Sequence, residues 1–195
     1  MFHVVVFPQR FFVLLSVVIP LCLAGNTRYY PLRNPDEAAV IEWGNSAIIS
    51  ALDAVVAEFG PQTNQAALME VETSPIFAVP LDGTTLTNKD DIAGNVVVMT
   101  DTDTDTTPVQ LATAAQAAGA AALIVVHVDD SRPDEAPRFR AANGEEEAAA
   151  SIDIPVVAIS MTSASVLAMA TLSENERLKI RSLQEANGLP ERFVL

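Results

Sequence analysis

Two apolar runs joined by a well-punctuated helix dominate this sequence. Residues 95–100 read NVVVMT and residues 121–128 read AALIVVHV. Neither run alternates apolar with polar residues, so each predicts a strand buried on both faces. Between them, Thr107 and Pro108 offer an N-cap and a first helical position for PVQLATAAQAA, and Gly119 stands where a left-handed residue ends a helix. A helix that must cover one face of a sheet on its way between two strands lays them parallel, with a right-handed crossover. The stretch DIPVVAIS at 153–160, followed by the helix-prone MTSASVLAMA, repeats the arrangement. The expected fold class is α/β.

The flanks are less regular. Residues 25–45 mix turn formers with both Tyr and the Trp, and Asn34-Pro35-Asp36-Glu37 has the pattern of an N-cap and first helical turn. This predicts a lead-in segment that packs on the domain, with a short helix. Ala47 to Phe59 suits a helix by its Ala and Leu and a strand by its β-branched pairs, and both readings stay open until Gly60-Pro61 ends the segment. Residues 61–93 alternate short apolar stretches with Pro, Gly and Asn, as strands joined by irregular loops do. RLKIR at 177–181 has the period of a half-exposed strand, ended by Asn187-Gly188, although Ser173 with Glu176 also fits a capping box.

Composition narrows the chemistry. Among 195 residues there are 25 acidic and 11 basic side chains, a formal net charge of -14, yet 50% of residues are hydrophobic. That apolar content supports a core and excludes a wholly disordered chain. The acidity argues against nucleic acid and bare anionic membranes as partners, since both need basic patches. Two His (His3, His127) and one Cys (Cys22) leave little for metal or nucleophile chemistry.

From Phe11 the chain reads FFVLLSVVIPLCLAG behind Arg10, the layout of a secretory signal peptide cleaved after Ala24. Pro20 interrupts a run already short of the roughly 20 apolar residues of a membrane span. The expected mature chain, from Gly25, loses Arg10 and no acid, so it is one charge more negative; it has no cysteine and no Asn-x-Ser/Thr acceptor. A secreted protein, or one of the endomembrane or vacuolar lumen, is expected, with no span in the mature chain. The organisation expected is signal peptide 1–24, lead-in 25–45, domain 46–184 and C-terminal tail 185–195.

Four stretches carry a family resemblance: AEFG at 57–60, DIAGNVVVMT at 91–100, AAQAAGAAALIVVHV at 114–128 and IDIPVVAIS at 152–160. In this order they resemble a protease-associated (PA) domain. The resemblance implies a β-sandwich-like or barrel-like sheet with parallel strand-helix-strand elements and flanking helices. It also implies no catalytic residues, no cofactor, and an accessory role in binding proteins, peptides or protease substrates. The chain is similar to small secreted proteins made of a signal peptide and one PA domain; the alternative is a lid or sorting region of a larger protease or receptor. Members usually follow the first of these apolar strands with Arg-Gly-x-Cys-x-Phe, whereas TDTDTDTTP occupies residues 100–108 here.

Several residues are candidates for chemistry. Asp101, Asp103 and Asp105 copy the first acidic positions of a calcium loop, but Thr106 and Ala112 stand where its Gly and Glu belong. On an extended strand alternate carboxylates lie about 6.6 Å apart, too far to share an ion without curling the chain. His127 ends a strand, and a hydrolase would need it with Ser131, Ser151 or Ser160, none of which lies in a GxSxG elbow. The acid-rich segment after His127 reads as a mobile flap in which Asp129, Asp130, Asp134, Glu135, Glu145, Glu146 and Glu147 could steer a basic peptide or protein. The flap 129–151 and the loops of 61–93 are the expected contact surfaces.

Overall fold

The computed structural model describes residues 37–45, 48–102, 106–171 and 177–182. Its strands are β1 Ala38–Asn45, β2 Ile48–Val56, β3 Val71–Thr73, β4 Pro75–Phe77, β5 Val96–Asp101, β6 Ala122–His127, β7 Val156–Ser160 and β8 Leu178–Ser182. Its helices are α1 Ala66–Met69, α2 Lys89–Ile92, α3 Pro108–Ala117, α4 Glu146–Ala150 and α5 Met161–Thr171. The signal peptide, its cleavage point and the tail from residue 185 lie outside the described residues.

The double-sided apolar runs behave as their composition dictates. β4, β5, β6 and β7 pair in parallel, with Val97 opposite Leu123 and Leu123 opposite Val156. One face of this half carries Val97, Met99, Leu123, Val125, Val156 and Ala158, covered by Val109, Leu111, Ala112 and Ala115 of α3 together with Phe139 and Ile152. The opposite face carries Val96, Val98, Ile124, Val126, Val157 and Ile159, which pack with Ile41, Trp43, Met69, Leu167, Leu178 and Ile180 from β1, α1, α5 and β8. Each fully buried Val, Leu or Ile contributes about 1.5–3 kcal/mol, so both faces are needed to hold these strands.

The punctuation of α3 is realised atom by atom. Thr107 Oγ1 accepts from Gln110 N–H at 3.3 Å, and the Gln110 side chain accepts from Thr107 N–H at 3.1 Å, which completes a capping box. At the other end Gly119, at φ +76°, donates to Gln116 O, and Ala120 N–H reaches Ala115 O, the two bonds of a Schellman cap.

The other half of the sheet is antiparallel: β7 pairs with β2, β2 with β1, β1 with β8, and β8 with β3. Here the structure corrects one expectation and decides another. Residues 38–45 form an interior strand, not part of a segment packed on the domain, because pairing with β2 and β8 satisfies both edges of β1 and places Ile41 and Trp43 in the core. The expected N-cap and first helical residues at 34–36 lie outside the described residues. Residues 48–56 are a strand, held between β1 and β7.

The sheet order is β3-β8-β1-β2-β7-β6-β5-β4, so its two outer strands are consecutive in the chain and separated only by Ser74. One residue spans less than 4 Å, and the sheet must curl until its edges meet. Thr73 Oγ1 donates to Asn95 Oδ1 at 2.8 Å, and Ser74 O accepts from Val96 N–H at 3.1 Å, fastening the seam. A second close approach is at Gly60, φ +76°, where a Cβ would lie 2.7 Å from Ile154 O. Among the described residues no helix is long and apolar enough to cross a membrane.

Candidate functional site

The parallel register brings Asp101, His127 and Ser160 level with one another at the C-terminal ends of β5, β6 and β7. His127 Nδ1 lies 3.2 Å from Asp101 Oδ2, with both side chains mostly buried, and the edge of its ring meets Phe139 at a centroid distance of 6.1 Å. Ser160 does not join them in a hydrogen bond. Its Oγ accepts from Ser163 N–H at 3.1 Å at the start of α5 and shares a second bond with Ser163 Oγ. Ser131 Oγ donates to Asp129, and Ser151 Oγ to Ala148 O, so neither candidate serine bonds to His127. The sequence indicated that His127 ends a strand but not its carboxylate partner, which is 26 residues away and found only through register.

Asp101 therefore serves His127, while Asp103 and Asp105 lie outside the described residues. Among the described residues no group of three or more His, Cys, Asp or Glu is placed to hold a metal ion.

The segment after His127 is pinned at many points, contrary to the expected mobile flap. Phe139 is buried against the α3 side of the sheet, and its carbonyl accepts from Glu58 N–H. Arg138 pairs with Glu37 at 2.8 Å, and Arg140 with Glu58 at 2.8 Å. Most of its carboxylates already have partners. Asp129 accepts from the Ser131 hydroxyl, Ser131 N–H and Arg132, which hold its carboxyl down at about 2, the hydroxyl bond being the main cause. Glu135 pairs with Arg132, Asp134 accepts from Thr162 Oγ1, Glu145 from Thr107 Oγ1 and Ala142 N–H, and Glu146 from Gly144 N–H. Asp130 and Glu147 stay exposed. Hydrogen bonds from neutral donors favour the ionised form, so these carboxylates keep their charge, and Arg132 offsets that of Asp129 and Glu135.

The segment 61–93 presents a different surface. Leu68, Phe77, Val79 and Leu81 are exposed, Val79 by 53%. Phe77 ends β4 and Val79 follows it, and between them Ala78 N–H reaches Val98 O on β5; Leu81 lies in the turn beyond, its carbonyl accepting from Thr100 N–H. On the outer side, Asn88 Nδ2 donates to Phe77 O at 2.9 Å, and Asn88 Oδ1 accepts from Val79 N–H at 3.0 Å. Thr87 donates to Val79 O from both its N–H and its hydroxyl. The sequence signalled an apolar stretch in IFAVPL; nothing in it marked Asn88.

A nearly closed eight-stranded sheet, with parallel strand-helix-strand units on one side, defines a barrel-like α/β domain. The family model for the PA domain matches residues 55–167, and the chain belongs to the PA domain family. Similar solved structures include a zinc aminopeptidase from Bacillus subtilis (15% identity, TM-score 0.48, 75% of this chain and 30% of that one). An aminopeptidase from Aneurinibacillus sp. strain AM-1 aligns at 11% identity and TM-score 0.49, over 75% of this chain and 30% of its own. A subtilisin-like protease from the Antarctic psychrotroph Pseudoalteromonas sp. AS-11 gives 15% identity and TM-score 0.47, over 75% and 34%. The chain thus corresponds to 30% to 34% of the length of those three proteins. No curated protein sequence matches it.

Proposed function

We propose that this PA domain is a non-catalytic module that binds a protein or peptide, and that it works in a secretory, endomembrane or extracellular compartment. The observation that carries the binding role is the exposure of Leu68, Phe77, Val79 and Leu81 within one segment, while the cores on both faces of the sheet are filled. Phe77, Val79 and Leu81 are close together in the chain, and apolar side chains exposed together mark contact sites more often than isolated ones do. The local commitments of His127, Ser131, Ser151 and Ser160 support the non-catalytic part of the reading. The compartment rests on the N-terminal pattern of residues 1–24.

The test is affinity capture by the purified protein from secretory-pathway and extracellular extracts, at low and high salt, with mass spectrometry of what is retained. A discrete partner that survives high salt and is lost in a Val79→Lys variant supports binding through the 61–93 segment. Release by salt alone transfers the role to Asp130, Glu147 and the other acids of the 129–151 segment. No enrichment over an unrelated acidic domain overturns the free-standing binder. A hydrolysis activity abolished by His127→Ala overturns the non-catalytic reading.

A further inference from the structure

We infer that the outer edge of β4 is a strand-pairing site held shut by Asn88, and that the occupant it fits is an extended peptide flanked by Lys or Arg. The inference deepens the binding role proposed above and rests on it.

In a parallel ladder one residue donates to the carbonyl before its opposite number and accepts from the N–H after it. The Asn88 carboxamide makes this pair of bonds around Ala78: Nδ2 to Phe77 O at 2.9 Å and Val79 N–H to Oδ1 at 3.0 Å. A single side chain thus stands in for one residue of a neighbouring strand. Thr87 extends the imitation by occupying Val79 O. Strand edges are templates for pairing, and covering them is how proteins keep them silent.

The covered edge has what a strand-addition site needs once Asn88 swings away. Its backbone groups at Phe77 and Val79 point outward, since Ala78 N–H is spent on Val98 O. Phe77 and Val79 offer exposed apolar side chains for alternate residues of an added strand. Charge selects the occupant. Residues 75–81 carry no charge, yet they lie between Glu72 and Asp82, and Asp90 and Asp91 follow Asn88 with both side chains exposed. Lys89 is the single cation in the 75–91 stretch. A second copy would bring the same acids against these, whereas a peptide with cationic ends is drawn to them.

The probe is a synthetic nonapeptide, Lys-Lys-Val-Thr-Val-Thr-Val-Lys-Lys, titrated by calorimetry into wild-type protein and Asn88→Ala. A companion peptide carries N-methyl groups on alternate amides, with the same side chains and charge. Because the wild type must first give up two hydrogen bonds, Asn88→Ala is expected to bind the probe about tenfold or more tightly than wild type. The N-methylated peptide is expected to lose that gain, since it cannot donate along the edge. Asn88→Asp keeps the acceptor for Val79 N–H but not the donor to Phe77 O, and should fall between the two; it replaces Asn88→Ala if circular dichroism shows that variant unfolded.

Equal affinity of wild type and variant, absence of binding in both, or full binding of the N-methylated peptide overturns the inference. Self-association of Asn88→Ala in sedimentation, ahead of peptide binding, also overturns it by making a second copy the occupant. A partner captured equally by wild type and Asn88→Ala would leave the general binding role standing while this edge fails.

Discussion

Gly60 and Gly119 share a φ of +76° but differ in what surrounds them, so a pair of alanine substitutions separates backbone strain from steric conflict. At Gly119 a Cβ would meet the Cα and Cβ of Ala93 at 3.7 Å, ordinary contact. Gly119→Ala therefore loses only the left-handed allowance, about 1–2 kcal/mol, offset in part by about 0.4–1 kcal/mol from the stiffer unfolded chain. At Gly60 the same backbone term applies, and the new Cβ lies 2.7 Å from Ile154 O, a backbone atom that cannot rotate aside. Relieving that overlap shifts the segment entering β7, and overpacking of this kind costs about 1–3 kcal/mol more. With a urea slope of about 2 kcal/mol per molar, Gly60→Ala should unfold at a midpoint about 0.5–1.5 M below Gly119→Ala. Urea denaturation followed by far-ultraviolet circular dichroism measures this, with equal slopes as the check that both variants share a denatured state. Equal midpoints, or a larger loss at Gly119, would refute the reasoning.

Three other substitutions test other parts of the structure. Phe139→Ala removes the anchor of the segment after His127 and should lower stability by about 3–5 kcal/mol, with proteolysis after Arg138 or Arg140 rising in step, measured by denaturation and limited trypsin digestion. Ser182 is fully buried and its Oγ has no hydrogen-bond partner among the described residues; Ser182→Ala should raise stability by about 1 kcal/mol, read as a higher thermal midpoint. The Asp129 carboxyl, held at about 2 against a usual 3.8, favours the folded state above pH 4, and that contribution fades as pH falls from about 4 through 2. A carboxyl titration by nuclear magnetic resonance should place its midpoint near 2 in the wild type and higher in Ser131→Ala.

The parts of the fold written in local chemistry were legible in the sequence. Thr107-Pro108 and Gly119 bound α3 because caps are short-range devices, and the unbroken runs at 95–100 and 121–128 have the pattern of doubly covered strands. RLKIR at 177–181 has the period of a half-exposed strand, and β8 buries Leu178 and Ile180 while Lys179 and Arg181 pair with Glu70 and Glu42. β1 was hidden because the reason for a strand at 38–45, its place between β2 and β8, is non-local. β2 stayed ambiguous for the same reason. The local bonding of the acidic segment was hidden in another way: counting its carboxylates does not reveal that Asp129, Asp134, Glu135, Glu145 and Glu146 are each engaged by a nearby donor. The Asp101–His127 pair and the Asn88 bridge depend on strand register and on a loop folding back, and no spacing rule reports either.

The passage of the chain from one sheet edge to the other through Ser74 also orders the folding problem. β4 finds β5 across about 20 residues, whereas β3 must find β8 across about a hundred, at a higher loop-closure cost. The β1–β2 hairpin and the parallel half, from β4 to β7, are the parts whose contacts can be assembled from neighbouring segments. The barrel then closes when a late-synthesised strand, β8, arrives to bridge β1 and β3, so the last strand of the described chain acts as the stave that draws the hoop tight.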